Sequence, residues 1–326
     1  MALLASAAFL GGGGVSISLA GEYHESGQLH CSDCHIMHAS QRGIGYGGSV
    51  LNPPGYPSLL RAATPSELCL TCHDGGGGTG DSAPDVMTAA SYETADVKRP
   101  AGAFQAPVAV ATQNGHDLGV PDEVAPGGTW SSGAQGMSCA TCHDPHGNGN
   151  YRNLVPRPGT ASADLQVTAI SESVQTPTSA QYSVANVGYT DSDNGLAEWC
   201  RGCHTDFHGP AGDSRLGGSS SGDPAGSDSF WFRHPTRDVT MAEGAANGHI
   251  DGDYWFTAAA SRVPVVSPSG VIPGTPGSSD NEVFCGSCHK AHGSGHRSAL
   301  IWDDPSTGAI EDGASATQTC EMCHYL

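Results

Sequence analysis

Six Cys-x-x-Cys-His stretches use up all twelve cysteines of this 326-residue chain. They are Cys31–Cys34–His35, Cys69–Cys72–His73, Cys139–Cys142–His143, Cys200–Cys203–His204, Cys285–Cys288–His289 and Cys320–Cys323–His324. This spacing is the attachment signature of c-type haem. The two thiols add across the porphyrin vinyl groups, and the next histidine reaches the iron from one face. All three contacts lie on one side of one rigid macrocycle, so the spacing must be short and fixed. Zinc ribbons do not need a histidine after every second cysteine, and disulfides need neither feature. The motifs therefore predict six covalently held haem c groups.

Composition sharpens the expected fold. With 46 glycines, 21 prolines and only 6% aromatic residues, the chain is poor in material for an ordinary side-chain core. The haems supply the missing apolar mass. The expected fold is mostly irregular coil, with short helices and few short strands, wrapped around six stacked haems. Without haem it is expected not to fold.

The formal charge of −20, from 33 acidic and 13 basic residues, disfavours nucleic acid and anionic membrane surfaces as partners. Ala2 to Leu10 is apolar but too short to span a bilayer. Ser18-Leu19-Ala20 then offers a signal-peptidase site, although no Lys or Arg opens the segment. Residues 1–20 are read as the remnant of a signal peptide and residues 21–326 as one domain. Haem c is attached outside the cytoplasm, which agrees with export.

Between the motifs the chain reads as loop, with Gly75 to Gly80 and Gly209 to Ser229 the most glycine-, serine- and aspartate-rich. Capping boxes stand before three attachment sites, at Thr64–Glu67, Ser279–Glu282 and Ser315–Gln318, each predicting a short helical turn. Alternation between Asp164 and Val187 suggests a strand or hairpin, as does Val263 to Val271. Phe230-Trp231-Phe232 and Tyr254-Trp255-Phe256 suit packing on porphyrin faces.

Sixteen histidines less six proximal ones leave ten, and six haems need at most six more. His38, His146 and His292 follow their motifs at one spacing. A histidine there points away from its own iron and suits a neighbouring haem. His116 and His234 lie in loops upstream of the third and fifth motifs, and His24 lies upstream of the first. These six are the predicted distal ligands, with His30, His208, His249 and His296 in reserve. Iron held by two histidines has no open position, which suits electron transfer rather than bond chemistry. The chain is thus read as an electron carrier and not an enzyme.

Tyr23 to Gly27, Cys31 to Ser40 and Leu68 to His73 resemble the opening of OmcS-type extracellular cytochromes, the hexahaem proteins that polymerise into nanowires. The resemblance implies a head-to-tail homopolymer at or beyond the cell surface, with a continuous haem stack. It would pass electrons from redox partner cytochromes to extracellular acceptors. It also implies that His38 ligates the haem of His289 in an adjacent subunit; the other possibility is that His38 serves His73 of its own chain. Two further functions compete with the filament: a monomeric periplasmic or surface shuttle, and a multihaem oxyanion reductase. The reductase would need an open iron, often marked by a Cys-x-x-Cys-Lys motif, and none occurs.

Overall fold

The computed structural model describes residues 24, 29–35, 57–74, 83, 85–87, 101–167, 189–190, 195–207, 236, 240–241, 264–268 and 280–301. The proposed signal segment, His38, His234, both aromatic triplets, the Ser315–Gln318 box and the sixth motif (Cys320, Cys323, His324) lie outside these residues.

Regular structure is sparse. Helix α1 is Cys31–Cys34, α2 is Pro65–His73, α3 is Cys139–Cys142 and α4 is Gly195–Arg201, with 3-10 turns at Pro57–Leu59, Tyr151–Asn153, Thr205–Phe207, Cys285–Ser287 and Arg297–Ala299. Strand β1, Tyr189–Thr190, pairs in parallel with β2, Val266–Ser267. No helix among the described residues is long and apolar enough to cross a membrane.

Every described attachment motif sits on a helical turn, because a single turn presents both sulfurs and the histidine along one side. The longest of these turns shows how the sequence launches it. Thr64 Oγ1 accepts from Glu67 N–H at 3.1 Å, Glu67 Oε2 accepts from Thr64 N–H at 3.1 Å, and Pro65 opens α2. Such a cap stabilises a helix by about 1 kcal/mol. The box before the fifth motif does not form a helix. Glu282 is instead taken into backbone bridges with Val266 and Thr240, and the Cys285–Ser287 turn starts after it. The alternating stretch beginning at Asp164 is likewise irregular over its described part, up to residue 167. Val167 is fixed there by bonds to Tyr151 and Asn150 rather than by a ladder. In the other proposed strand, whose described residues are 264–268, Val266–Ser267 is extended and paired.

A small apolar core does exist. Leu154, Val167, Tyr189, Ala197, Met241, Val265, Val266, Phe284 and Ile301 bury one another. Tyr189 meets Phe284 edge-on at 5.0 Å. This cluster fastens the third, fourth and fifth motifs together, and Trp199 adds an Nε1–H bond to the Val155 carbonyl at 2.7 Å.

Candidate haem-binding sites

The first, third and fifth motifs are three copies of one local device. In each, the residue before the second cysteine is polar, and its side chain accepts the backbone N–H that precedes the turn. The bonds are His30 N–H to Asp33 at 2.7 Å, Ser138 N–H to Thr141 at 2.9 Å and Phe284 N–H to Ser287 at 3.1 Å. Each proximal histidine then bridges to a leucine further on: His35 to Leu60, His143 to Leu154 and His289 to Leu300. The residue after each leucine donates to the second cysteine's carbonyl, from Arg61, Val155 and Ile301, at 3.0, 2.9 and 2.9 Å.

Just before each leucine the backbone turns left-handed at two residues that are not glycine. These are Ser58 and Leu59, Arg152 and Asn153, and Ser298 and Ala299, all with φ between 52° and 59°. Such a conformation costs roughly 1 kcal/mol or more per residue. Its use is visible in the next bond. The turn aims a carbonyl at the proximal imidazole: Ser58 at His35 (3.0 Å), Arg152 at His143 (2.8 Å) and Ser298 at His289 (2.8 Å). A carbonyl can only accept, so Nδ1 carries the proton and Nε2 is left with its lone pair for a metal.

The fourth motif reaches the same result with different parts. Cys69, Cys72 and His73 lie on α2, while Cys200 lies on α4 with His204 just beyond it. The Pro126 carbonyl accepts from His204 Nδ1 at 2.8 Å.

Four proximal histidines face a second histidine. His24 lies opposite His73 at 6.4 Å between ring centres, and His146 opposite His35 at 6.1 Å. His116 lies opposite His204 at 6.0 Å, and His292 opposite His143 at 6.3 Å. An ion about 2 Å from each coordinating nitrogen sets facing imidazole centres roughly 6 Å apart. The four gaps fit a haem iron, and each has a cysteine pair beside it. Two of the facing rings are oriented as well. His24 Nδ1–H donates to the Pro145 carbonyl at 3.2 Å, and His116 Nδ1–H donates to the Ala291 carbonyl at 2.6 Å. Desolvation pushes His143, His204 and His292 below the usual histidine range, His292 to about 3, so each is neutral and able to ligate.

The ten described cysteines form no disulfides. Their sulfurs bring two pairs of motifs together. Cys69 and Cys139 are within hydrogen-bond reach of each other, as are Cys200 and Cys285. The second motif thus adjoins the third, and the fourth adjoins the fifth.

Of the predicted distal set, His24, His116, His146 and His292 each face a proximal histidine. His30 caps α1, and His296 is buried in the fifth-motif loop. His24 lies in the position opposite His73, and His38 lies outside the described residues. Among the described residues no imidazole faces His289. Sequence reasoning missed the six left-handed residues and their carbonyls, which set the proximal rings. The polar residue before the second cysteine in the odd motifs was the available signal.

No protein-family model matches the chain. C-type cytochrome OmcS of Geobacter sulfurreducens is 27% identical over 368 residues, covering 84% of this chain and 78% of that protein. In fold, the chain is similar to the structure of the Outer Membrane Cytochrome S filament from the same organism. That match has a TM-score of 0.55 at 23% identity, over 91% of this chain and 92% of that one. A cryo-EM structure of OmcS nanowires gives 0.50 at 24% identity, over 85% and 84% of the two chains.

Proposed function

The chain being OmcS-like in both sequence and fold, we propose that it is a hexahaem electron carrier that polymerises head to tail into a filament outside the cell. Each haem is held by one Cys-x-x-Cys-His motif and a second histidine. When bound, haem c supplies a one-electron iron couple whose two axial positions are both filled by protein. Burial keeps His116, His143, His204, His289 and His292 neutral, and backbone carbonyls fix His35, His143, His204 and His289 through Nδ1. With both axial positions of an iron filled by protein, the role that fits is electron transfer rather than bond chemistry.

The observation that carries the filament is a register. The second histidine of each odd Cys-His-x-x-His stretch faces the proximal histidine of the preceding odd motif: His292 faces His143, and His146 faces His35. Among the six motifs, His38 is the donor with no earlier odd motif to serve, and His289 is the acceptor with no later odd motif to serve it. The same step taken between copies joins His38 of one subunit to the fifth haem of the next. A joint that repeats without closing gives an open filament. A monomeric shuttle would leave both ends of the register unused.

The test is negative-stain microscopy of the native secreted protein with its haems attached. Filaments are expected at protein concentrations where a non-assembling protein would elute as a monomer. Monodisperse single subunits across that range would overturn the filament. The redox partners are other cytochromes that load electrons, and acceptors outside the cell that remove them.

A further inference from the structure

We propose that Asp117 tunes the fourth haem: its buried carboxylate holds the iron served by His116 and His204 at a lower potential than a neutral side chain would. The inference rests on the two-histidine reading of the haems given above.

It starts from where the side chain sits. Asp117 directly follows His116, the imidazole that faces His204, and only 6% of it is exposed. Both of its oxygens are engaged within its own loop. Oδ2 accepts from Thr112 N–H at 2.6 Å, and Oδ1 accepts from the Thr112 hydroxyl at 2.7 Å. An acceptor at both oxygens is an ionised carboxyl. Thr112 Oγ1 in turn accepts from Asn114 N–H at 3.2 Å. The Asn114 carbonyl accepts from Ser294 N–H at 3.0 Å, which fastens the loop to the turn that carries His292. The charge is therefore fixed in place beside the ligand. Among the described residues no Lys or Arg forms an ion pair with it.

The carboxylate acts on the His116 ring, where it attracts positive charge. Ferric iron on that ring carries one more positive charge than ferrous iron, so the same attraction favours the oxidised state. Burial matters to the size of the effect. A second carboxylate, Asp144, stands 3.9 Å from His146 Nδ1, but His146 is exposed and Asp144 partly so, and water screens that pair. Loop closure alone does not require the charge at Asp117. An asparagine there would accept from Thr112 N–H through its oxygen and donate to the Thr112 hydroxyl through its NH2.

The experiment uses the secreted, haem-loaded protein carrying Asp117→Asn, followed by visible and EPR spectroscopy through a redox titration at neutral pH. All haems are expected to stay low-spin, with one per subunit titrating at a higher potential. Asp122→Asn, which removes an exposed charge from the same stretch, is expected to shift none. Comparing His116→Ala with the double variant His116→Ala, Asp117→Asn assigns the haem, because the high-spin component should carry the shift. An unshifted titration of low-spin Asp117→Asn would overturn the proposal and leave Asp117 as a loop closure only. A shift carried by a low-spin haem in the double variant would also overturn it. If Asp117→Asn does not fold or loses a ligand, Asp117→Ser, neutral and still able to accept from Thr112 N–H, takes its place under the same criterion. Failure of the two-histidine reading looks different: the unaltered protein would already contain a stoichiometric high-spin haem.

Discussion

The imidazole of His292, in the fifth attachment motif, faces that of His143, in the third, across 6.3 Å at an interplanar angle of 65°. Phe104 stacks on the other side of His292 at 4.7 Å and limits where the ring can go. A histidine three residues from one attachment histidine thereby faces the attachment histidine of another motif. This separates ligands used within a chain from the one proposed to act between chains.

His146→Ala and His292→Ala should each produce one high-spin haem per subunit without preventing assembly, since both partners lie within one chain. His38→Ala should also produce one high-spin haem, but with filaments lost or sharply shortened. Spectra and negative-stain filament counts, taken on the same preparations, check this. Filaments of normal number and length from His38→Ala would rule out an essential ligand between subunits.

Gly115→Ala places a methyl where only the backbone of Gly293 and His292 fits. That neighbour cannot swing aside as a side chain would, so the loop must retreat and carry His116 away from His204. The expected result is a partial high-spin signal from one haem and a melting temperature lowered by several degrees, since overpacking costs about 1–3 kcal/mol. Gly149→Ala, with no atom near its added methyl, should melt like the unaltered protein.

Arg152→Val forces a β-branched residue into a left-handed position, at a cost on the order of 1–2 kcal/mol. The carbonyl that accepts from His143 Nδ1 should shift with it. Loss of such an orienting partner weakens metal ligation by about 10–100-fold in other sites. The expected readout is a changed potential for one haem in a spectroelectrochemical titration. Arg152→Gly, which adopts the conformation freely, should leave the potential alone.

Protein made without haem-attachment machinery should be unfolded. The apolar cluster around Phe284 and Val266 ties down the third to fifth motifs, but first-motif residues such as Cys31 and Leu59 are exposed to solvent. Ordering so long a chain of loops costs about 1–2 kcal/mol per residue in backbone entropy alone. Circular dichroism and limited proteolysis provide the check, and a cooperatively melting, protease-resistant apoprotein would contradict it.

Much of the site was legible because covalent attachment writes itself into local spacing. Cys31 to His35 needs no distant residue to be understood. The equal spacing of His38, His146 and His292 was legible for the same reason. Which ring meets which was not, because that depends on loops joined over long separations. His24 stands just before the first motif yet faces His73 of the second, and His116 meets His204 across the intervening third motif. The left-handed residues were hidden by identity: Ser58, Arg152 and Ser298 are not the glycines and asparagines that usually mark positive φ. Ser279–Glu282 showed the reverse failure, a sound local helix start overridden when Glu282 paired with Val266.

The one-way hand-over of histidines from each odd motif to the one before it has a consequence for the tips of the proposed polymer. Every internal subunit is chemically complete, but the two termini differ. In the polymer proposed above, one tip would present the fifth haem without a partner subunit's His38, and the opposite tip would present an unused His38. The fibre is therefore polar, and small iron ligands such as cyanide or imidazole should act as chain stoppers at a single tip. They would also label the terminus where current enters or leaves without touching the interior.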